Sequence, residues 1–196
     1  MKNISVLVSG GGTNLQAVID SVENGYIPDA RIAQVISSRQ DAYALTRAEK
    51  HGIKGVYIGK KNYPDSAGRT DAIIQALKEE ETDLVILAGY MSVLEPKLIE
   101  AYRDRIINIH PSLIPKYCGK GFYGHFVHEA VLAGGETESG ATVHFVDEGV
   151  DTGKIILQES VPVLEGDTPD TLAARVLEVE HKILPLAVKM FCGGEL

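Results

Sequence analysis

Ile4-Ser5-Val6-Leu7-Val8-Ser9-Gly10-Gly11-Gly12-Thr13-Asn14-Leu15-Gln16-Ala17-Val18-Ile19 is the stretch whose reading decides the fold. The apolar run before Ser9 reads as a strand buried on both faces. It passes through three glycines into a segment whose apolar positions, Leu15, Val18 and Ile19, recur at helical spacing. Outward from that unit, the strand Ile4–Ser9 and helix Thr13–Glu23 are followed by Ile- and Val-rich runs at Arg31–Ser37, Gly55–Ile58, Leu84–Ala88 and Ile106–Ile109. Helical patterns at Asp41–Lys50, Ala67–Glu81 and Glu95–Tyr102 lie between them. Such alternation predicts an α/β fold: a mostly parallel central sheet with helices on both faces, joined by right-handed crossovers. Past residue 140 the rhythm changes. Ala141–Val146 and Lys154–Val163 are separated only by Asp147–Gly153, too short for a crossover helix, and are expected to add antiparallel strands. Thr168-Pro169 then caps a long final helix to Phe191, with a kink expected at Pro185.

The whole of residues 1–196 reads as one domain, with a first half, 1–105, suited to phosphate and a second, 106–196, carrying the chemistry. A formal charge of −8 and a pI near 5.2 argue against nucleic-acid and membrane-surface partners, which need clustered Lys and Arg, but leave room for a small anionic ligand. No apolar run approaches the ~20 residues that span a bilayer, and no signal-peptide pattern precedes the first strand, so a cytoplasmic protein is expected. Cys118 and Cys192 lack partners for a disulfide framework or zinc knuckle.

Three segments carry candidate chemistry. The loop Ser9-Gly10-Gly11-Gly12-Thr13-Asn14 opens a helix, where backbone amides and the helix dipole favour an anion. Leu15 stands where a dinucleotide fingerprint needs glycine, and no Gly-Lys-Ser/Thr follows, so neither NAD nor a Walker-type nucleotide is indicated. A phosphate cradle and a plain tight turn both fit the loop. In Ile107-Asn108-Ile109-His110-Pro111-Ser112, strand alternation puts Asn108 and His110 on one face, at the carboxyl end of a central strand where open sheets form their crevice. His can move a proton near neutral pH, and Asn can donate to a developing oxyanion. A capping Asn and a satisfied buried His are the alternative. The loop Asp147-Glu148-Gly149-Val150-Asp151-Thr152-Gly153 is either a hairpin turn or a source of a carboxylate, Asp151, that would raise the pKa of His110. His125 and His128 sit at helical spacing without a third ligand. They read as a surface helix face, and no metal site is expected.

Taken together, SGGGTNLQAVID, LAGYM at Leu87–Met91, INIHPSLIPKY from Ile107 and GATVHFVDEGVDTGKIILQ from Gly140 resemble the folate-dependent formyltransferases, and within them the short phosphoribosylglycinamide formyltransferases of purine biosynthesis. The resemblance covers nearly the whole chain and implies a Rossmann-like formyltransferase fold. It implies formyl transfer from 10-formyltetrahydrofolate, as co-substrate, to the amine of 5'-phosphoribosylglycinamide by direct attack, with no metal. Asn108, His110 and Asp151 match the catalytic trio, with Asp151 keeping His110 protonated. Gly12, Thr13 and Asn14 would take the substrate phosphate and Glu180 the ribose hydroxyls. Met91, Ser92, Val93 and Leu94, with Asp147, Glu148, Gly149, Val150 and Asn108, would hold the formyl-folate. Many relatives have Arg where Ser92 stands. The basic residue they place ahead of the third helix has Ser66 nearest, with Lys61 or Arg69 as stand-ins. Residues 118–124 look like a mobile flap.

The same resemblance sets the alternatives. Related tRNA formyltransferases append a C-terminal tRNA-binding domain and deformylases an N-terminal regulatory one, and neither is expected here. A binding module without catalysis would require Asn108, His110 and Asp151 to be structural only. Small-molecule substrates, no nucleic acid, no membrane, and a monomer or weak homodimer are expected.

Overall fold

The computed structural model describes residues 1–196. In chain order its elements are β1 (Lys2–Val8), α1 (Thr13–Glu23), β2 (Ala30–Ser37), α2 (Tyr43–Lys50), β3 (Lys54–Tyr57), α3 (Ser66–Glu79), β4 (Leu84–Leu87), α4 (Pro96–Ala101), β5 (Ile106–His110), α5 (His125–Ala133), β6 (Glu138–Phe145), β7 (Ile155–Pro162) and α6 (Pro169–Cys192). Seven strands form one sheet in the order β3-β2-β1-β4-β5-β6-β7. The pairs from β3 to β5 are parallel, and β6 and β7 join antiparallel. The expected mixed sheet with an antiparallel C-terminal addition is what the chain forms.

The continuous apolar strands are explained by two cores, one on each face. Ile4, Val6 and Val8 of β1 and Ile107 and Ile109 of β5 pack with α1, α5 and α6, whereas Leu7, Val85 and Ile106 pack with α3 and α4. Alternate residues of each strand therefore need apolar partners on opposite sides. β1 pairs with β2 on one side and β4 on the other, so the crossovers depart in opposite directions from β1 and β4. Open sheets place ligands at the carboxyl ends of such strands.

Differences from the sequence reading are local. Helix α6 runs through Pro185 without a break. Helix α5 forms, but His128 is buried beside Val127 and Val131 rather than lying on a surface face. Burial, then the charges of His125 and His110, lower the pKa of His128 to about 4, and its Nδ1 has no partner. His125 is half exposed, as expected of a surface position. No helix is long and apolar enough to cross a membrane.

Candidate active site

Local strand chemistry brings the first two polar groups together. Asn108 and His110 alternate with Ile107 and Ile109 along β5, so burying the isoleucines turns both polar side chains to the other face. Across the antiparallel ladder Asn108 faces His144 of β6, and His110 faces Thr142. Asn108 Nδ2 and His144 Nε2 are 3.1 Å apart, and His144 Nδ1 lies 2.8 Å from its neighbour's Phe145 carbonyl. That carbonyl accepts a hydrogen bond from Nδ1–H, which leaves Nε2 to accept from the Asn108 amide in the neutral ring.

The loop between β6 and β7 delivers Asp151 into the same space. Its backbone is left-handed (φ 57), and its carboxylate is mostly buried, with Oδ2 3.7 Å from His110 Nδ1 and Oδ1 3.6 Å from His144 Nε2. Oδ2 also accepts from the Gly119 amide at 2.9 Å. Gly153 closes this loop because a Cβ there would fall 1.7 Å from the Phe145 carbonyl oxygen. Asp147 spends its carboxylate inside the loop, on the Gly149 amide at 3.0 Å and the Thr152 hydroxyl at 2.6 Å. Glu148 pairs with Arg103 at 3.0 Å, and Val150 is exposed.

The electrostatics correct one expectation. Asp151 does not raise the pKa of His110 above its ordinary value. Burial, the largest influence, lowers it, outweighing the Tyr117 carbonyl and Asp151, which both favour the charged ring. At 3.7 Å the carboxylate is too far for a direct hydrogen bond and cannot offset the desolvation. Burial opposes the ionised form of Asp151 too. The neighbouring His144 ring, the Gly119 amide and His110 nevertheless leave its pKa lowered, so the shifts of the pair run toward an ionised Asp151 and a neutral His110.

The glycine loop lies at the carboxyl end of β1. Gly12, left-handed at φ 74, is the N-cap of α1; no side chain caps that helix, and no acidic residue stands in its first turn. The first amides therefore have no side-chain partner, the arrangement that favours an anion. Asn14 reaches across to α6, its Nδ2 donating to Glu180 Oε2 at 2.6 Å, while its buried Oδ1 has no protein partner. Burial pushes the Glu180 carboxyl up to about 7, opposed by the Asn14 hydrogen bond. An unsatisfied acceptor beside a carboxyl is what a vicinal diol would meet.

Met91–Leu94 follow β4. The Met91 amide donates to Ser9 Oγ at 2.9 Å, which ties this turn to the glycine loop, and the Met91 and Val93 side chains are exposed. Ser66 and Arg69 border a hollow with Tyr90, Ser92, Val93 and Leu94; Lys61 does not. In residues 118–124, Gly119, Gly121 and Gly124 all have positive φ. No group of three or more His, Cys, Asp or Glu is placed to hold a metal.

The structure thus brings Asn108, His110 and Asp151 together, and separately joins Asn14 to Glu180. Sequence reasoning missed His144, Gly119 and the Tyr117 carbonyl. His144 is marked only by the β5–β6 register, which the structure supplies and which pairs it with Asn108. A backbone amide or carbonyl leaves no residue-type signal at all.

These features define a class: an open α/β enzyme in which a helix without a side-chain cap and a buried imidazole–carboxylate pair both lie at the carboxyl ends of the parallel strands. The chain belongs to the formyl transferase family, which its residues 2–188 match. It is 44% identical over 196 residues to the phosphoribosylglycinamide formyltransferase of Haemophilus influenzae, covering 100% of this chain and 90% of that one. It is 45% identical over 193 residues to the trifunctional purine biosynthetic protein adenosine-3 of Bos taurus, covering 97% of this chain but 18% of that larger protein. The crystal structure of glycinamide ribonucleotide transformylase 1 from Symbiobacterium toebii superposes with a TM-score of 0.93 at 44% identity, covering 99% of this chain and 89% of that one.

Proposed function

We propose that this chain transfers the formyl group of 10-formyltetrahydrofolate to the amine of 5'-phosphoribosylglycinamide, yielding the N-formyl product and tetrahydrofolate in purine biosynthesis. The observation that carries this reading is the meeting of Asn108, His110 and Asp151 at the carboxyl end of β5, in a chain whose full length matches a formyltransferase of that name. Gly12, Thr13 and Asn14 take the phosphate, and Glu180 takes the ribose hydroxyls. The formyl-folate lies against Met91, Ser92, Val93 and Leu94 and the loop of Asp147, Glu148, Gly149 and Val150, contacted chiefly through backbone groups, with Asn108 at the formyl oxygen.

Chemically, the amine nitrogen attacks the formyl carbon and a tetrahedral oxyanion forms, stabilised by the Asn108 amide and by His110. A neutral His110 is suited to take the proton that the amine loses on attack, and the imidazolium so formed is stabilised by ionised Asp151. The bond from carbon to the folate nitrogen then breaks, and that nitrogen receives the proton from His110 or through water. Direct transfer needs neither a covalent enzyme adduct nor a metal. The two halves, 1–105 for phosphate and 106–196 for chemistry and folate, act as one domain in a cytoplasmic monomer or weak homodimer without nucleic-acid or membrane partners.

The test follows formyl transfer by wild type, His110→Ala and Asp151→Asn in parallel. Both substitutions are expected to lower kcat by roughly 10²–10⁴-fold while folate binding persists. Release of free formate by wild type without transfer to the amine would mean a hydrolase and sink the substrate assignment.

A further inference from the structure

Arg47 is a half-buried cation that meets no carboxylate. From α2 its Nε donates to the Gly11 carbonyl at 2.7 Å, and its Nη1 donates to Gln16 Oε1 of α1 at 3.1 Å. Its Cδ stands 3.4 Å from where a Cβ on Gly12 would fall, and its guanidinium carbon lies 5.0 Å from the centre of the Tyr43 ring, so the fork is held from two sides. Nη2, which carries two N–H groups, makes no hydrogen bond within the protein. Arg39 gives the contrast, its guanidinium being forked onto Asp41 at 3.1 and 2.9 Å. A guanidinium does not shed its proton, so Arg47 keeps a full positive charge against the glycine loop with no ion pair to neutralise it.

That charge answers a deficit. The amides at a helix N-terminus offer roughly half an elementary charge, whereas a phosphate monoester carries about −1.5 to −2 at neutral pH. The chain as a whole, at −8, repels such a ligand. His181, next to Glu180 on α6, does not make up the difference: burial first, and then the charge of Arg47, lower its pKa toward the neutral ring, and its buried Nε2 has no partner. The same influence brings the field of Arg47 to the turn of α6 whose Glu180 is joined to Asn14. We propose that Arg47 is a specificity-determining residue: it anchors the glycine loop by the Gly11 carbonyl and presents Nη2 and its unpaired charge to the substrate phosphate, so that the site selects the phosphorylated amine over the same amine without phosphate. This rests on the reading of the glycine loop as the phosphate site. The loop amides then supply the shape of that site, and Arg47 supplies its charge.

The experiment compares kcat/KM for formyl transfer to 5'-phosphoribosylglycinamide and to the corresponding riboside, which lacks the phosphate, for wild type, Arg47→Lys and Arg47→Gln. Arg47→Gln is expected to lose roughly 10- to 100-fold with the phosphorylated amine, through KM rather than kcat, and less than about twofold with the riboside. Arg47→Lys, which keeps the charge and loses the fork, should recover part of that loss. Added KCl should raise KM for the phosphorylated amine less steeply in Arg47→Gln than in wild type or Arg47→Lys, a difference that a role in loop shape alone would not produce. KM for 10-formyltetrahydrofolate should change less than about twofold in either variant. Equal losses with both amines would mean that Arg47 only keeps the loop in shape, and no loss with the phosphorylated amine would mean that it does not meet the phosphate; either result overturns the proposal. Equal use of the two amines by wild type would overturn the phosphate reading of the loop itself, a failure visible before any variant is made.

Discussion

At Gly12 the chain turns left-handed where strand gives way to helix, and a methyl group there would sit 2.7 Å from Ala44 Cβ and 3.4 Å from Arg47 Cδ. Conformation and space both demand glycine. Gly12→Ala is therefore expected to cost about 2 kcal/mol, lowering Tm by about 5 °C, and to raise KM for the phosphorylated substrate while leaving folate binding intact. Calorimetry and substrate titration check the two effects separately. Residues of this kind were legible beforehand because their chemistry is carried by residue type: three glycines before a helix, a polar pair alternating with isoleucines. The charge state of His110 was not. It depends on how completely the surrounding strands exclude water, and that burial outweighs the carboxylate 3.7 Å away.

Helix and strand boundaries followed from periodicity wherever a stripe was long. The final helix shows why. Leu172, Val176, Val179, Ile183 and Leu184 are buried along one side, and the same stripe carries Glu180 inward, where it meets Asn14. Its start is fixed by the Thr168 side chain accepting from the Thr171 amide, with Thr171 Oγ1 returning the bond to the Thr168 amide at 2.9 Å. Arg175 adds a forked pair to Asp167 at 2.7 and 2.9 Å just ahead of the cap. Thr168→Ala should cost about 1 kcal/mol, seen as a Tm lower by about 3 °C, with kcat unchanged at room temperature because Glu180 lies three turns further on. A fall in kcat without loss of Tm would couple the cap to the chemistry despite that distance. Helix α5 was the weak point of the sequence reading. Its short pattern does not say which side faces inward, and His128 is buried with Val127 and Val131. The pairing of Asn108 with His144 was likewise hidden, since antiparallel register depends on how the segment between β5 and β6 is threaded.

For the molecule as a whole, the two-faced sheet came through in the alternation of strands and helices, whereas the strand order did not, because sequence spacing does not say on which side of β1 the fourth strand inserts. Burial of Glu180 between α1 and α6 has a global signature. Its carboxyl is pushed up to about 7 from the ordinary 4.5, so between those pH values the folded chain holds a proton that the unfolded chain has lost. Stability is therefore expected to fall as pH rises through that window and to level off above it, the full cost being on the order of 3 kcal/mol. Glu180→Gln should flatten that slope and raise Tm above pH 7 while weakening binding of the phosphoribosyl substrate; an unchanged slope in thermal melts would assign the pH dependence to other groups. The contact that buries this carboxyl joins Asn14 to a residue 166 positions later. During synthesis the glycine loop is therefore made well before the residue it must meet. The pocket that Asn14 and Glu180 share is complete only once α6 has docked on α1.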